Sequence, residues 1–203
     1  MDRSTAVTVA AAALIVYFIT RTPPDADDDP GYEEPDLLDK AQALFSDMTD
    51  MGISDPVEQS NVGAFLWTVR VSEGTADSRG YSRLVGGGQF VGFADHPRIL
   101  VDLPNLGIKS SAAGAYQIIR RTWDGVAGKL ALPDFSPASQ DAAAVELIKQ
   151  RGAWADVKAG RFAAAIEKCR KEWASLPGAG YGQRENSLAY LQSTYEKAGG
   201  LVA

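Results

Sequence analysis

The sequence predicts an α+β fold, mostly helical with a small irregular β-sheet, preceded by a hydrophobic helix and a linker. Three observations carry this reading. A helical pattern over residues 61–73 is followed by a glycine-rich stretch of short apolar β-formers over 80–103, and then by helical patterns to the chain end; helix, small sheet, helices is an α+β order. No segment repeats. With 203 residues at 45% hydrophobic content, the chain is long enough for one domain with a real core plus accessory segments.

Residues 4–20, "STAVTVAAAALIVYFIT", form an uncharged run. As a helix it spans roughly 25 Å, near the lower limit for crossing a bilayer. No small-x-small cleavage site follows it, and the chain runs into "TRTPPD". The expectation for residues 1–21 is therefore an uncleaved transmembrane or signal-anchor segment, ahead of a cleaved signal or a helix buried in an assembly. Arg3 and Arg21 flank the run equally, so charge barely chooses an orientation. Residues 22–60 read as an acidic, proline-rich tether. Within it, Leu37, Leu38, Ala41, Leu44, Phe45 and Met48 mark a short amphipathic helix.

From residue 61 to 203 the chain reads as a compact domain. "VGAFLWTVRVSE" is a helix, and "GYSRLVGGGQFVGFADHPRILVDL" supplies the small sheet with tight turns. Further helices are expected over 110–130, with serine caps, and over 136–152, opened by Ser-Pro and stopped by glycine. Two more are expected over 160–176, ending at Pro177, and over 185–200.

Charge is unevenly spread. Residues 1–60 hold 3 Lys/Arg and 13 Asp/Glu, whereas residues 61–203 hold 17 and 13. The mildly basic domain suits an anionic polymer, but a charge-balanced soluble surface accounts for it better. Cys169 is the sole cysteine and His96 the sole histidine, so neither a disulfide within the chain nor a His-rich zinc site can form. No metal, cofactor or nucleic-acid partner is expected.

Glu73 is the residue that asks for chemistry. Leu66, Val69 and Glu73 share one helical face, which places a carboxyl beside apolar neighbours. Burial raises a carboxyl pKa, and the negative end of the helix dipole acts in the same direction. Both favour a protonated acid near neutral pH, as a general acid requires. Gly74 then allows a sharp turn. The competing reading is a glutamate at a helix end in water, and periodicity alone does not separate the two.

Six ordered stretches add to this: "SEGT", "GYSRLVGG", "FADHPR", "SAAGAYQI" with "TWD", "FSPASQDAAAVELIKQRGA" and "CRKEWASLPGAGYGQ". Together they cover about residues 61–200, and the set resembles the lambda-phage endolysin family of peptidoglycan-cleaving enzymes. The resemblance implies a lysozyme-like fold for 61–203 and cleavage of the β-1,4 bond between N-acetylmuramic acid and N-acetylglucosamine. It implies lytic transglycosylase chemistry, leaving a 1,6-anhydro end, with Glu73 of "SEGT" as the catalytic acid. A hydrolytic muramidase would need a second carboxylate, for which Asp77, Asp95 and Asp102 are the local candidates.

Glycan strands are then the expected substrate. Tyr116, Gln117, Gln140, Tyr181 and Gln183 are the candidate sugar contacts. Core packing competes for Tyr116, and helix capping competes for Gln140. Glycines free Tyr181 and Gln183 from helix. Asp95 and His96 read as turn and structural hydrogen-bonding residues, Cys169 as a buried thiol, and Ala143, Ala144, Leu147, Ile148 and Trp173 as core. The leading expectation is a membrane-anchored lysis enzyme at the host inner membrane, with its catalytic domain in the periplasm. The alternatives are a virion-associated lysin docked through its N-terminal region, a host-encoded prophage enzyme, and a non-catalytic peptidoglycan-binding or structural virion module.

Overall fold

The structure is a computed structural model that describes residues 53–203. The expected anchor, the amphipathic helix over 37–48 and the tether up to residue 52 lie outside the described residues. The last part of the expected tether is corrected, because residues 56–60 are helical. Among the described residues, no helix is long and apolar enough to cross a membrane.

Helix α1, Pro56–Glu73, begins ahead of the expected domain edge at residue 61. Asp55 caps it: one carboxylate oxygen accepts from Val57 N (2.7 Å) and Glu58 N (3.1 Å), and Pro56 occupies the first turn. These are the residue types that satisfy orphan donors at a helix start. Val62, Phe65, Leu66 and Val69 are buried, so α1 carries one wall of the core.

The chain then leaves regular structure. Single-turn 3-10 helices at Gly80–Ser82 and Val85–Gly87 occupy part of the stretch expected to be sheet. The sheet is a two-stranded hairpin, β1 (Val101–Leu103) antiparallel to β2 (Ile108–Ser110), with Asp102 opposite Lys109. A 3-10 turn, Pro104–Leu106, joins the strands and ends at Gly107 with φ 64°.

Five helices follow: α2 (Arg120–Leu130), α3 (Pro137–Gln150), α4 (Trp154–Lys158), α5 (Phe162–Cys169) and α6 (Leu188–Lys197). α1 packs on α4 and α6, α2 on α3, and α4 on α5. Phe162 links two of these layers, with ring centroids 6.2 Å from Phe65 and 4.8 Å from Tyr195. A second aromatic group centres on Phe135, edge-on to Trp123 at 4.7 Å and to His96 at 4.9 Å. The chain end is tied to α1, because Leu201 N donates to Asn61 Oδ1 at 2.8 Å.

Two helix expectations are corrected. Residues 111–119 are not helical; α2 starts at Arg120. Gly114 (φ 78°) and Gln117 (φ 47°) hold left-handed backbone, and Ala113 and Ile118 exchange both backbone hydrogen bonds at 3.1 and 3.0 Å. A left-handed residue breaks a helix, and the paired turn satisfies the backbone instead. Ser111 still serves α2, since its Oγ accepts from Arg120 N at 3.1 Å. Likewise the helix expected to reach residue 176 ends at Cys169. Trp173 is buried beyond that end, its indole N–H donating to Tyr116 O at 3.1 Å.

Candidate active site

α1 ends at Glu73 because Gly74 takes φ 71°, a left-handed cap that glycine adopts without a Cβ penalty. Thr75 N then donates to Arg70 O at 2.9 Å. Thr75 Oγ1 donates to Ala115 O at 2.5 Å, which pins the turn to the segment before α2. The glutamate therefore stands at a rigid helix end, not on a mobile loop.

Leu66 and Val69, on the face that Glu73 shares, are buried. The Glu73 residue keeps partial exposure. Burial of its carboxyl raises the pKa above the ordinary 4.5, and hydrogen bonds from the Ser175 hydroxyl and backbone pull it back in part. The Ser175 Oγ–Glu73 Oε1 distance is 2.6 Å. Ser72 Oγ donates to Ser175 Oγ at 2.7 Å, and Asn186 Nδ2 donates to Ser72 Oγ at 3.1 Å. A helix end and the segment between α5 and α6 thus meet on one carboxyl group.

Sequence reasoning missed Ser72, Ser175 and Asn186. Two of them stood in quoted motifs, "SEGT" and "EWASLPGAGYGQ", but serine carries no periodic signal, and Ser175 lies 103 residues from Ser72.

The other local carboxylates are engaged elsewhere. Asp77 pairs with Arg83 and accepts from Arg79 N at 3.1 Å. Asp102 pairs with Lys109 across the hairpin at 3.2 Å. Asp95 binds Arg98 (2.9 Å), His96 N (2.7 Å) and Trp123 Nε1 (3.1 Å). The Arg98 hydrogen bond leads the causes that hold its pKa below the ordinary value, against opposing desolvation. His96 is structural: Arg98 N donates to Nδ1 at 3.1 Å, so Nε2 carries the proton and donates to Ile118 O at 2.9 Å. Burial holds this imidazole below its usual pKa, in the neutral form.

Two expected sugar contacts are corrected by their burial. Tyr116 is 2% exposed, and its hydroxyl donates to Asp141 at 2.6 Å. Burial, with Asp141 adding to it, pushes that phenol well above its usual pKa. Gln140 is 0% exposed. It bridges three loops, donating to Tyr81 O (3.0 Å) and Phe135 O (2.8 Å) and accepting from Ala115 N (2.8 Å). Enclosed side chains with satisfied polar atoms hold the turn in place and present nothing to a glycan.

Gln117 stays partly exposed and donates to Gly114 O at 3.0 Å. Tyr181 and Gln183 stand exposed on the loop before α6. The Tyr181 hydroxyl donates to Lys171 O at 3.0 Å, and the Lys171 ammonium lies 5.3 Å from the ring centroid. The loop is clamped from below, with Gly178 N and Gly180 N donating to the Glu185 carboxylate at 2.8 and 2.7 Å.

A desolvated glutamate closing a core helix, within a helical body that carries one short hairpin, defines the class. Bacteriophage lambda lysozyme solved with a chitohexasaccharide matches at a TM-score of 0.68 and 45% identity, over 71% of this chain and 97% of that one. A second lambda lysozyme structure matches at 0.64 and 43%, with the same coverage. The fold is lysozyme-like α+β.

Sequence comparison narrows this. The model of the Endolysin family matches residues 63–202. The endolysin of Escherichia phage P2 is 47% identical over 157 residues, covering 70% of this chain and 95% of the relative. That of Escherichia phage lambda is 47% identical over 145 residues, covering 68% and 91%. The chain belongs to the endolysin family and is a peptidoglycan-cleaving lysis enzyme.

Proposed function

We propose that the chain is a lytic transglycosylase that cuts between N-acetylmuramic acid and N-acetylglucosamine with Glu73 as its one acid–base group. The observation that carries this is the contrast among carboxyls. Glu73 is desolvated with a raised pKa, while Asp77, Asp95 and Asp102 are each committed to a basic partner. A hydrolytic glycosidase ordinarily requires a second, free carboxylate.

In the first step the Glu73 O–H bond breaks, and its proton goes to the glycosidic oxygen as the bond to the anomeric carbon breaks. The leaving sugar departs as an alcohol. In the second, the Glu73 carboxylate takes the proton of the muramic acid 6-hydroxyl, whose oxygen bonds the anomeric carbon. The glutamate is regenerated and no water is consumed. That the lambda lysozyme was solved with a chitohexasaccharide supports a glycan substrate for this chain. Gln117, Tyr181 and Gln183 remain the proposed sugar contacts.

The mass of muropeptides released by the full chain from purified peptidoglycan tests the reaction type. Products lighter than hydrolysis products by one water support the transglycosylase. Hydrated reducing ends replace it with a muramidase.

The 4–20 run further supports a role as an anchored lysis enzyme, held at the host inner membrane with the domain in the periplasm. Fractionation of cells expressing the full chain tests this. Recovery in the membrane fraction, lost on deletion of residues 1–21, is the expected outcome; recovery in the soluble fraction contradicts it. Endolysins as relatives favour lysis over a virion role.

A further inference from the structure

The hydrogen bonds behind Glu73 run in one direction. Asn186 Nδ2 lies 3.4 Å from Ser72 O and from Ser175 O, and 3.1 Å from Ser72 Oγ. Carbonyl oxygens only accept, so the amide edge that faces them is its NH2. Ser72 Oγ accepts from that amide and directs its own proton to Ser175 Oγ at 2.7 Å. Ser175 Oγ, having accepted, directs its proton to Glu73 Oε1 at 2.6 Å. In this direction each hydroxyl both accepts and donates within the chain of bonds.

We propose that Asn186, Ser72 and Ser175 form a positioning relay that fixes the acid proton of Glu73 on Oε2, making Oε2 the oxygen that protonates the glycosidic bond. The proposal rests on Glu73 being the general acid.

A proton on Oε1 would meet the Ser175 hydroxyl hydrogen head-on, so the neutral acid places it on the other oxygen. The three relay residues transfer no proton. Their effect grows along the reaction: as the Oε2–H bond breaks, negative charge spreads onto Oε1, and the Ser175 bond becomes charge-assisted. An interaction stronger in the transition state than in the ground state raises kcat rather than lowering KM. The same bond favours the carboxylate and so restrains the rise in pKa that burial imposes.

The test measures kcat and KM on purified peptidoglycan across pH for the full chain and for Ser175→Ala, Ser175→Thr, Asn186→Ala and Glu73→Gln. Ser175→Ala is expected to lower kcat about tenfold, the scale of one hydrogen bond to a charged group, with KM nearly unchanged. Its alkaline limb moves to higher pH, because the carboxylate has lost a donor and activity requires the protonated acid. Ser175→Thr restores both, and Asn186→Ala moves the limb the same way by less. If Ser175→Ala does not fold, Ser175→Cys keeps the volume with a weak donor and gives the same readout.

A kcat and alkaline limb like the wild type's in Ser175→Ala would overturn the relay, as would a lower kcat with an unmoved limb. Glu73→Gln separates the two levels. Turnover retained there removes the general acid itself, whereas a silent Glu73→Gln beside a normal Ser175→Ala removes the relay alone.

Discussion

Replacing the proposed catalytic acid should make this protein more stable, and only above a certain pH. In Glu73→Gln, the Ser175 hydroxyl still meets an oxygen acceptor, but the desolvated charge is gone. The unfolded chain's glutamate titrates at its ordinary 4.5, and burial raises the folded value above that. Between the two values the folded state binds more protons than the unfolded state, so stability falls as pH rises through that window. Below the unfolded pKa both states are protonated and nothing is lost. Above the folded pKa the full penalty is present.

The penalty follows from how far burial raises the folded carboxyl above its unfolded value, less what the Ser175 hydrogen bonds return. In a chain of this size each 1 kcal/mol of it moves Tm by about 2–4 °C. Thermal melts followed by circular dichroism at pH 4 and pH 8 read the difference, because all other groups are shared and cancel. The two proteins should melt together at pH 4, and Glu73→Gln should melt higher at pH 8. A gap that does not change with pH would refute the reasoning, as would a wild type that melts higher at pH 8. The second result would mean that the carboxylate gains more from Ser175 than it loses by burial.

Other perturbations follow from the packing. Trp173→Ala removes a buried indole and its bond to Tyr116 O, so urea unfolding should show a loss of about 3–5 kcal/mol; a loss under 1 kcal/mol would place Trp173 outside the core. At Gly114 (φ 78°) an added Cβ would sit 2.2 Å from Gln140 Oε1. Gly114→Ala should therefore destabilise by about 2 kcal/mol or more, and an unchanged urea midpoint would contradict that geometry. The Cys169 thiol is buried and pushed up to about 12 by desolvation. A thiol reagent at pH 8 should label it only in denaturant, and rapid labelling of the native protein would contradict its burial.

Much of the frame was legible in the sequence because its signals are local. Ser136 with Pro137 opens α3 through a cap that needs only neighbouring residues, whereas Asp55 with Pro56, which caps α1 in the same way, falls in the stretch whose composition reads as tether. The face of Leu66, Val69 and Glu73 is a matter of spacing, and Gly74 announces the turn that ends it. What failed was decided at a distance. Residues 111–119 look helical, yet Gln140, Thr75 and Trp173 all bond to that segment and hold it as a turn. Tyr116 and Gln140 look like sugar contacts, but their partners, Asp141 and the backbones of Tyr81, Ala115 and Phe135, draw them inward. The serines behind Glu73 come together only when the segment before α6 folds back onto the end of α1.

The most direct test of the central claim is turnover of purified peptidoglycan by the full chain and by Glu73→Gln, both shown to be folded by their melts. A positioned general acid contributes about 10²–10⁴-fold, so the substitution should reduce turnover by that factor or more at every pH. A Glu73→Gln protein that releases muropeptides within a few-fold of the wild-type rate would contradict the account and move the chemistry away from the end of α1.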